Sequence, residues 1–531
     1  KKGQLDSLNN WRPISLLSCF YKIISSSIAN RLNSVIDKIC SLGQKGYSKS
    51  KNINEVILNV LNTISKSKKH NLDLAIVLID FRKAFDQISH KFIIESLRFF
   101  NFGEYFIKLV KTCLTGRIGH ILIDGMPQSH FEFLSGSGQG DPPSPLLFVI
   151  CLEILLLKIL YSDELSRAPL PPPLIEIDIP NSEAYADDLN AFIHATRENL
   201  RKLLHFFTLF ETLSGLAVNI NKTSIIPLGN TLNNHDFLNF VRNETELQLS
   251  NSFKLLGFHI DNLLNELGTN EEIIEEKINN ILNFWSKLSL SIHGRLTVYK
   301  TYILSQLSYI GTVLEFGSDF TKRVETLSLE YIRGTDKISI RKSLRTIEYG
   351  GLGLVKIKDF TDGLKINMFR RHLKSNDIWA KAISNARYSE AHPFHININS
   401  AILPENPYSQ MIIKAFLRAK ISWSYKDNNI LYDYIFHNKN CFSPENVEIT
   451  PNFFSPEHLL EHRDAILGIQ LFKILNPDTS HPYTKDIMSN KLGFNLNFNE
   501  YFRLRGIANY AKQKYGITIG AKKTKLESVL I

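Results

Sequence analysis

The chain has 531 residues, with 62 Lys plus Arg against 52 Asp plus Glu and a formal net charge of +10. With 44% apolar and 21% charged residues it is neither a disordered polyelectrolyte nor a disulfide-stapled mini-protein, and at roughly 100–200 residues per domain it has room for about three to four domains. The basic surplus suits a polyanionic partner.

Cys19, Cys40, Cys113, Cys151 and Cys441 form no Cys-x-x-Cys pair, which excludes zinc ribbons and knuckles; an odd, scattered set fits a reducing compartment. The longest apolar run, 146–157, contains Glu153 and falls short of the ~20 residues of a membrane span, so it reads as a buried helix. No secretory signal peptide is expected. The opening Lys1-Lys2-Gly3, without methionine, points to a fragment.

In chain order, Ile24, Ile28, Leu32 and Val35 follow helical spacing over 21–36, and Ile53, Ile57, Val60, Leu61 and Ile64 repeat it over 52–64. The run 72–79 is a short buried strand with Asp80 at its end. Ser89 caps a helix with Ile93, Leu97 and Phe100 on one face; a second helix covers 104–114. Segments 120–123 and 130–134 form a hairpin. After a Gly/Ser/Pro loop at 136–145, Ser144 is expected to cap the helix that starts at Pro145. Residues 182–194 read as two short strands around a turn. Residues 198–214 are a helix stopped by Gly215, and 216–227 and 253–260 are strands. The mixture lacks a regular βαβ repeat, which predicts an α+β domain on a small antiparallel sheet. From 271 onward the pattern is helical, with Ile274, Ile278, Ile281, Trp285 and Leu288 on one face and a break at Gly294. Beyond 385 periodicity weakens.

Asp80 ends one strand; Asp187 and Asp188 sit between two others. Three carboxylates at neighbouring strand ends make a hard-oxygen site suited to Mg²⁺. Two such ions about 3.5–4 Å apart support in-line nucleotidyl transfer. Acidic pairs are also common in turns, so the surrounding motifs decide.

Those motifs are Leu78-Ile79-Asp80-Phe81-Arg82-Lys83-Ala84-Phe85-Asp86, then Ser137-Gly138-Gln139-Gly140-Asp141-Pro142-Pro143-Ser144-Pro145, then Tyr185-Ala186-Asp187-Asp188. In this order they resemble the reverse transcriptase family. Upstream, Asn10-Trp11-Arg12-Pro13-Ile14-Ser15 and Ala29-Asn30-Arg31-Leu32 look like the fingers of its non-LTR (LINE-type) retrotransposon branch. Downstream, Gly215-Leu216-x-x-Asn219-x-x-Lys222 resembles the motif closing the palm, and Leu255-Leu256-Gly257-Phe258 the primer grip. The segments at Trp285–Arg295 and Gly350–Leu354 resemble the thumb of that branch.

The resemblance implies a right-hand polymerase: fingers and palm with a small antiparallel sheet over 1–265, a helical thumb over 266–345, and a mainly helical C-terminal region over 346–531. It implies RNA-directed DNA polymerisation with an RNA template, a DNA primer and dNTPs. Asp80, Asp187 and Asp188 would be the catalytic ligands of two Mg²⁺ ions. Arg12 would clamp the triphosphate from the fingers, with Lys1 or Lys2 beside it, and the backbone of Phe81, Arg82, Lys83 and Ala84 would lie against it. Phe85 would sit beneath the sugar and exclude a 2′-hydroxyl. Gln139 would approach the incoming base pair, and Lys222 the departing pyrophosphate. Lys49, Lys51, Gly138, Gly140, Tyr185 and Gly257 would contact nucleic acid, and Lys287, Arg295 and Lys300 are thumb bases that could track phosphates. Location as a ribonucleoprotein in nucleus and cytoplasm, with no membrane segment, is implied as well.

The chain departs from the family at Gln44-Lys45-Gly46-Tyr47-Ser48-Lys49-Ser50-Lys51, where Lys51 replaces an arginine and Ser50 a glycine, and at Pro143, where leucine is common. Asp86 belongs to its motif but is not expected to bind metal. His458-Leu-Leu-Glu461-His462 fits a zinc-peptidase pattern but lacks an evident third ligand, so zinc is not expected. Two alternatives stand beside the polymerase: a degenerate or domesticated nucleic-acid-binding protein without catalysis, and an RNA-dependent RNA polymerase, which Phe85 argues against.

Overall fold

A computed structural model describes residues 15–123, 125–166, 180–265, 268–334 and 351–372, then 407–422, 481–515 and scattered positions between. Arg12, Lys1, Lys2, Gly350 and Glu461 lie outside the described residues. The chain divides into two compact units, 1–284 and 285–531.

The first unit begins with α1 (Cys19–Ile39), capped by the Ser18 hydroxyl, and α2 (Ile53–His70), capped by the Asn52 side chain and closed by Asn71 in the left-handed region. Then come β1 (Asp73–Ile79), the short α3 (Ala84–Gln87), α4 (His90–Phe99) and α5 (Glu104–Leu114). The hairpin β2 (Ile118–Ile123) and β3 (Met126–Glu132) leads to α6 (Ser144–Tyr161). The strands β4 (Ser182–Tyr185) and β5 (Asp188–His194) precede α7 (Arg197–Ser214), which Gly215 ends with φ +77°. The remainder is β6 (Ser224–Gly229), α8 (His235–Glu244), β7 (Gln248–Leu249), β8 (Ser252–Leu255), β9 (Phe258–Asp261) and α9 (Thr269–Trp285).

The main sheet has the order β4-β5-β1-β6-β7. β1 is central because Leu74 to Val77 and Ile79 are buried, as an apolar strand with neighbours on both sides requires. All pairings are antiparallel except the two-residue β6–β7 ladder, which is parallel. One face carries Ala75, Val77, Ile79, Leu189, Ala191 and Ile193 into the core formed with α1 and α4 to α7. α2 packs on β6 and β4.

Among the described residues, α6 is the one helix long and apolar enough to cross a membrane by length and composition. It packs against α1, α4, α7 and β4, with 67% of it buried, so its apolar girth serves the core.

Several expectations need correction. Ser144 does not cap α6; it is the first helical residue, and its hydroxyl donates to Ser137 O. Residues 216–227 form a strand only from Ser224, after a 3₁₀ turn at Ile220–Lys222. Residues 253–260 are the hairpin β8–β9, since Leu256 and Gly257 both take positive φ, +47° and +94°, which the tight turn requires. Gly294 does not break a helix: its N–H donates to the capping Ser291 hydroxyl inside α10 (Ile292–Val298), and the helical pattern is interrupted before Ser291. Leu288 is 46% exposed and off the buried face.

The second unit is helical where its regular elements are described. α10 continues through a π-turn (Tyr299–Ile303) into α11 (Leu304–Val313), followed by α12 (Ser318–Arg333), α13 (Ile357–His372), α14 (Pro407–Ser422), α15 (Lys485–Leu492) and α16 (Phe498–Tyr515). Tyr299 Oη donates to Val355 O (2.8 Å), and Phe369 stacks on Phe416 at 4.2 Å. His458 Nδ1 lies 2.9 Å from the buried Glu500, and His462 stacks on Phe494 at 4.9 Å. Lys287 and Lys300 are exposed, while Arg295 lies against Gly334 at the end of α12.

Candidate active site

β1 and β5 pair antiparallel with Ile79 opposite Leu189. Continued by one step, that register sets Asp80 across from Asp188, and neighbouring strands bring paired residues within about 5.5 Å of Cα separation. Tyr185 pairs with Asp188, so Ala186 and Asp187 form the two-residue turn of the β4–β5 hairpin. Ala186 adopts φ +59°, the left-handed value that such turns demand and that L-residues resist. Lys83, just past Asp80, and Tyr47 take φ +44° and +57°. Of the seven non-glycine residues with positive φ among the described residues, three thus surround these carboxylates, and strain of this kind gathers at functional sites.

Asp80 is wrapped by the segment after α7. Its C=O accepts from Asn219 N (2.7 Å), its N–H donates to Thr223 Oγ1 (3.4 Å), and its Oδ2 accepts from Asn219 Nδ2 (3.0 Å). Lys222 Nζ stands 3.9 Å from the same oxygen. The Asp80 side chain keeps 43% exposure and Asp188 is exposed, so the carboxylates open to solvent. Among the described residues no three His, Cys, Asp or Glu side chains gather closely enough to hold a metal. The three aspartates share one end of the sheet without closing into a ligand cage. Their donors are all hard oxygens on accessible strand ends, which is the chemistry Mg²⁺ takes.

The other predicted residues fall as follows. Phe81 sends its ring into the core beside Phe210 at 6.4 Å, and Ala84 is buried. Arg82 N–H already donates to Ala217 O (2.8 Å), while the side chains of Arg82 and Lys83 are exposed. Phe85 is half-buried against Phe148 at 4.7 Å. Gln139 Nε2 donates to both oxygens of Asp86 (3.3 Å each), which gives Asp86 the task of aiming Gln139. Gly138 and Gly140 have φ +80° and +98°. A Cβ on Gly138 would meet the Arg117 guanidinium at 2.9 Å. Tyr185 is half-buried, Gly257 is in the β8–β9 turn, and Lys49 is exposed. Lys51 departs from expectation: its ammonium faces backbone carbonyls of its own loop.

Arg117 and Glu153 carry no motif signal in the sequence, and Asn219, though it lies in the Gly215–Lys222 motif, is given no role there. Arg117 pairs with the buried Asp141 (3.4 Å), donates to Ser137 O (3.3 Å) and lies over the Tyr21 and Phe133 rings, while Tyr21 Oη donates to Asp141 (2.7 Å). This network fixes the glycine-glutamine loop. Asn219 holds Asp80. Glu153, the lone charge of the apolar run, accepts from Ser41 N (2.8 Å) at the base of the fingers loop, and burial pushes its carboxyl pKa up.

Residues 1–260 match the family described as "Reverse transcriptase (RNA-dependent DNA polymerase)". The chain is 26% identical over 376 residues to the transposon TX1 uncharacterized 149 kDa protein of Xenopus laevis, covering 70% of this chain and 28% of that protein. It is 30% identical over 213 residues to the Pol polyprotein of type-2 retrotransposable element R2DM of Drosophila melanogaster, covering 40% and 19%. With the RNA-directed DNA polymerase of the Drosophila melanogaster mobile element jockey it shares 24% identity over 267 residues, covering 48% and 27%. The chain therefore spans less than a third of the length of each of these relatives. Residues 1–260 are thus a reverse transcriptase domain, and the chain is similar in sequence to these retrotransposon proteins.

Proposed function

We propose that this chain is an RNA-directed DNA polymerase, extending a DNA primer along an RNA template with dNTPs. The observation that carries the reading is the β1–β5 register, which brings Asp80 and the Asp187-Asp188 turn to one end of the sheet. Asp80, Asp187 and Asp188 are the residues that would hold two Mg²⁺ ions, whose chemistry lowers the pKa of the primer 3′-hydroxyl and neutralises the triphosphate.

The chain's own groups do the positioning. Asn219 fixes the rotamer of Asp80 from the side away from the turn. Lys222, close enough to Asp80 to offset its charge, is placed to meet the phosphate that leaves. Asp86 presents the Gln139 amide toward the base pair, and Phe85, braced by Phe148, lies where a 2′-hydroxyl would have to pass. The net charge of +10 serves the template–primer duplex, so binding weakens steeply as salt rises.

The deciding experiment is primer extension on an RNA template with dNTPs and Mg²⁺, against Asp187→Asn. Extension by the wild type at least ~10²-fold above the variant is expected, the scale set by loss of transition-state charge stabilisation. Equal incorporation by both would refute catalysis and leave a nucleic-acid-binding protein. Incorporation of NTPs in preference to dNTPs would favour the RNA polymerase alternative.

A further inference from the structure

The loop between α1 and α2 makes a clasp around one cation. Lys51 Nζ donates to Ser41 O (2.6 Å), Gln44 O (2.9 Å) and Cys40 O (3.5 Å). An ammonium has three N–H donors, and here three backbone carbonyls lie within their reach. One of these is at the C-terminus of α1, where the helix dipole favours a positive charge. On the other side the buried Glu153 of α6 takes the Ser41 N–H. Within the loop, Gln44 Oε1 accepts from Gly46 N (2.8 Å).

The loop held in this way is a neighbour of the catalytic turn. Ala184 N donates to Gly43 O (2.9 Å) and Lys45 N to Ala184 O (2.8 Å), so Gln44 makes a parallel bridge to Ala184 on the outer edge of β4. The next residue, Gly46, is so close to Ala186 that an added Cβ would come within 2.3 Å of its nitrogen. Tyr47 follows, its phenol pKa raised by partial burial and then by the nearby charge of Asp187. A continuous path of backbone hydrogen bonds and contact leads from the Lys51 ammonium to Asp187.

We infer that Lys51 is a positioning residue for the Tyr185–Asp188 turn, acting through residues 41–47, and not a contact to the template phosphates. The catalytic part of this inference rests on the polymerase reading; the structural part stands without it. Without the ammonium, three inward carbonyls lose their common donor and the bridge to β4 loosens.

The test compares wild type with Lys51→Met in three measurements. Binding is measured with a synthetic RNA template annealed to a DNA primer across a salt series, the single-turnover extension rate at saturating template–primer, and hydrogen exchange at the Ala184 amide. Positioning predicts an extension rate at least about tenfold lower, faster Ala184 exchange, a Kd within about twofold, and an unchanged slope of log K against log salt. A phosphate contact predicts weaker binding with a slope reduced by about one and no change in Ala184 exchange, and that result overturns the inference. Lys51→Gln, which retains two N–H donors, gives the same comparison should methionine prevent folding. If wild type extends no better than Asp187→Asn, the polymerase reading fails, while exchange and binding still decide the role of Lys51.

Discussion

Gly46→Ala isolates the link between the loop at residues 43–47 and the Tyr185–Asp188 turn. The added Cβ would lie 2.3 Å from Ala186 N and 3.0 Å from Ala186 Cα, where ordinary Cβ contacts begin at 3.4 Å. Both partners are backbone, so no side chain can swing away, and the loop and the turn must part by about 1 Å. Ala186 precedes Asp187 directly, and misplacing a reacting group by about 1 Å can lower the rate about 10²-fold. Single-nucleotide extension at saturating dNTP is the assay, with the fall expected in kcat. Gly103→Ala serves as the control, because a Cβ there meets nothing within 4 Å. A Gly46→Ala enzyme within roughly threefold of wild type would show that the turn and the loop are not held in fixed register, and would sink the geometric account of Asp187.

Arg117→Met removes the cation from Asp141, whose side chain is only 3% exposed; breaking a buried pair from one side should lower stability by about 3–5 kcal/mol, read as a lower urea midpoint. A loss under about 1 kcal/mol would mean that Tyr21 alone satisfies Asp141. In the second unit, burial brings the Lys365 ammonium down from 10.5 to about 8. Folding releases its proton between those values while the unfolded chain keeps it, so stability should rise with pH from 8 to 10.5, by an amount on the order of 3 kcal/mol. Below 8 both states are protonated and the burial penalty is fully felt. Thermal melts of the whole chain across that window, compared with Lys365→Met, should show the slope in wild type and its absence in the variant. Phe85→Val, which shortens the side chain braced on Phe148, should raise the ratio of NTP to dNTP incorporation at least about tenfold in single-nucleotide assays; an unchanged ratio would remove Phe85 as the sugar gate.

The carboxylate trio was legible because each member is tied to a local rule. A buried apolar run has to be a central strand, its end is fixed by Asp80, and a tight turn between two short strands holds the Asp pair. Chain chemistry of that kind is local, and the register of β1 on β5 follows from burying one face. What was not legible is direction. Lys51 reads as a cation beside a polar loop, and nothing in its neighbours states that three carbonyls converge on it from Cys40, Ser41 and Gln44. Arg117 stands between a helix and a hairpin with no motif around it; its partner Asp141 is close only after α5 and the glycine loop fold together. Leu256-Gly257 sits in an apolar stretch that hides its turn, because Leu256 is not a residue one expects at positive φ. Gly294 misleads the opposite way: next to a serine cap, a glycine in the first helical turn is tolerated and ends nothing.

The bridge from residues 43–45 to β4 also bears on solubility. A sheet edge left with unpaired N–H and C=O groups recruits further strands from other molecules. In the palm unit one edge is covered by this loop, and the opposite edge, β7, is only two residues long. A fragment begun after Tyr47 would retain Asp80, Asp187 and Asp188 yet uncover the β4 edge, and is expected to self-associate. Residues 43–45 thus shield an edge of the sheet as well as lying beside the Tyr185–Asp188 turn.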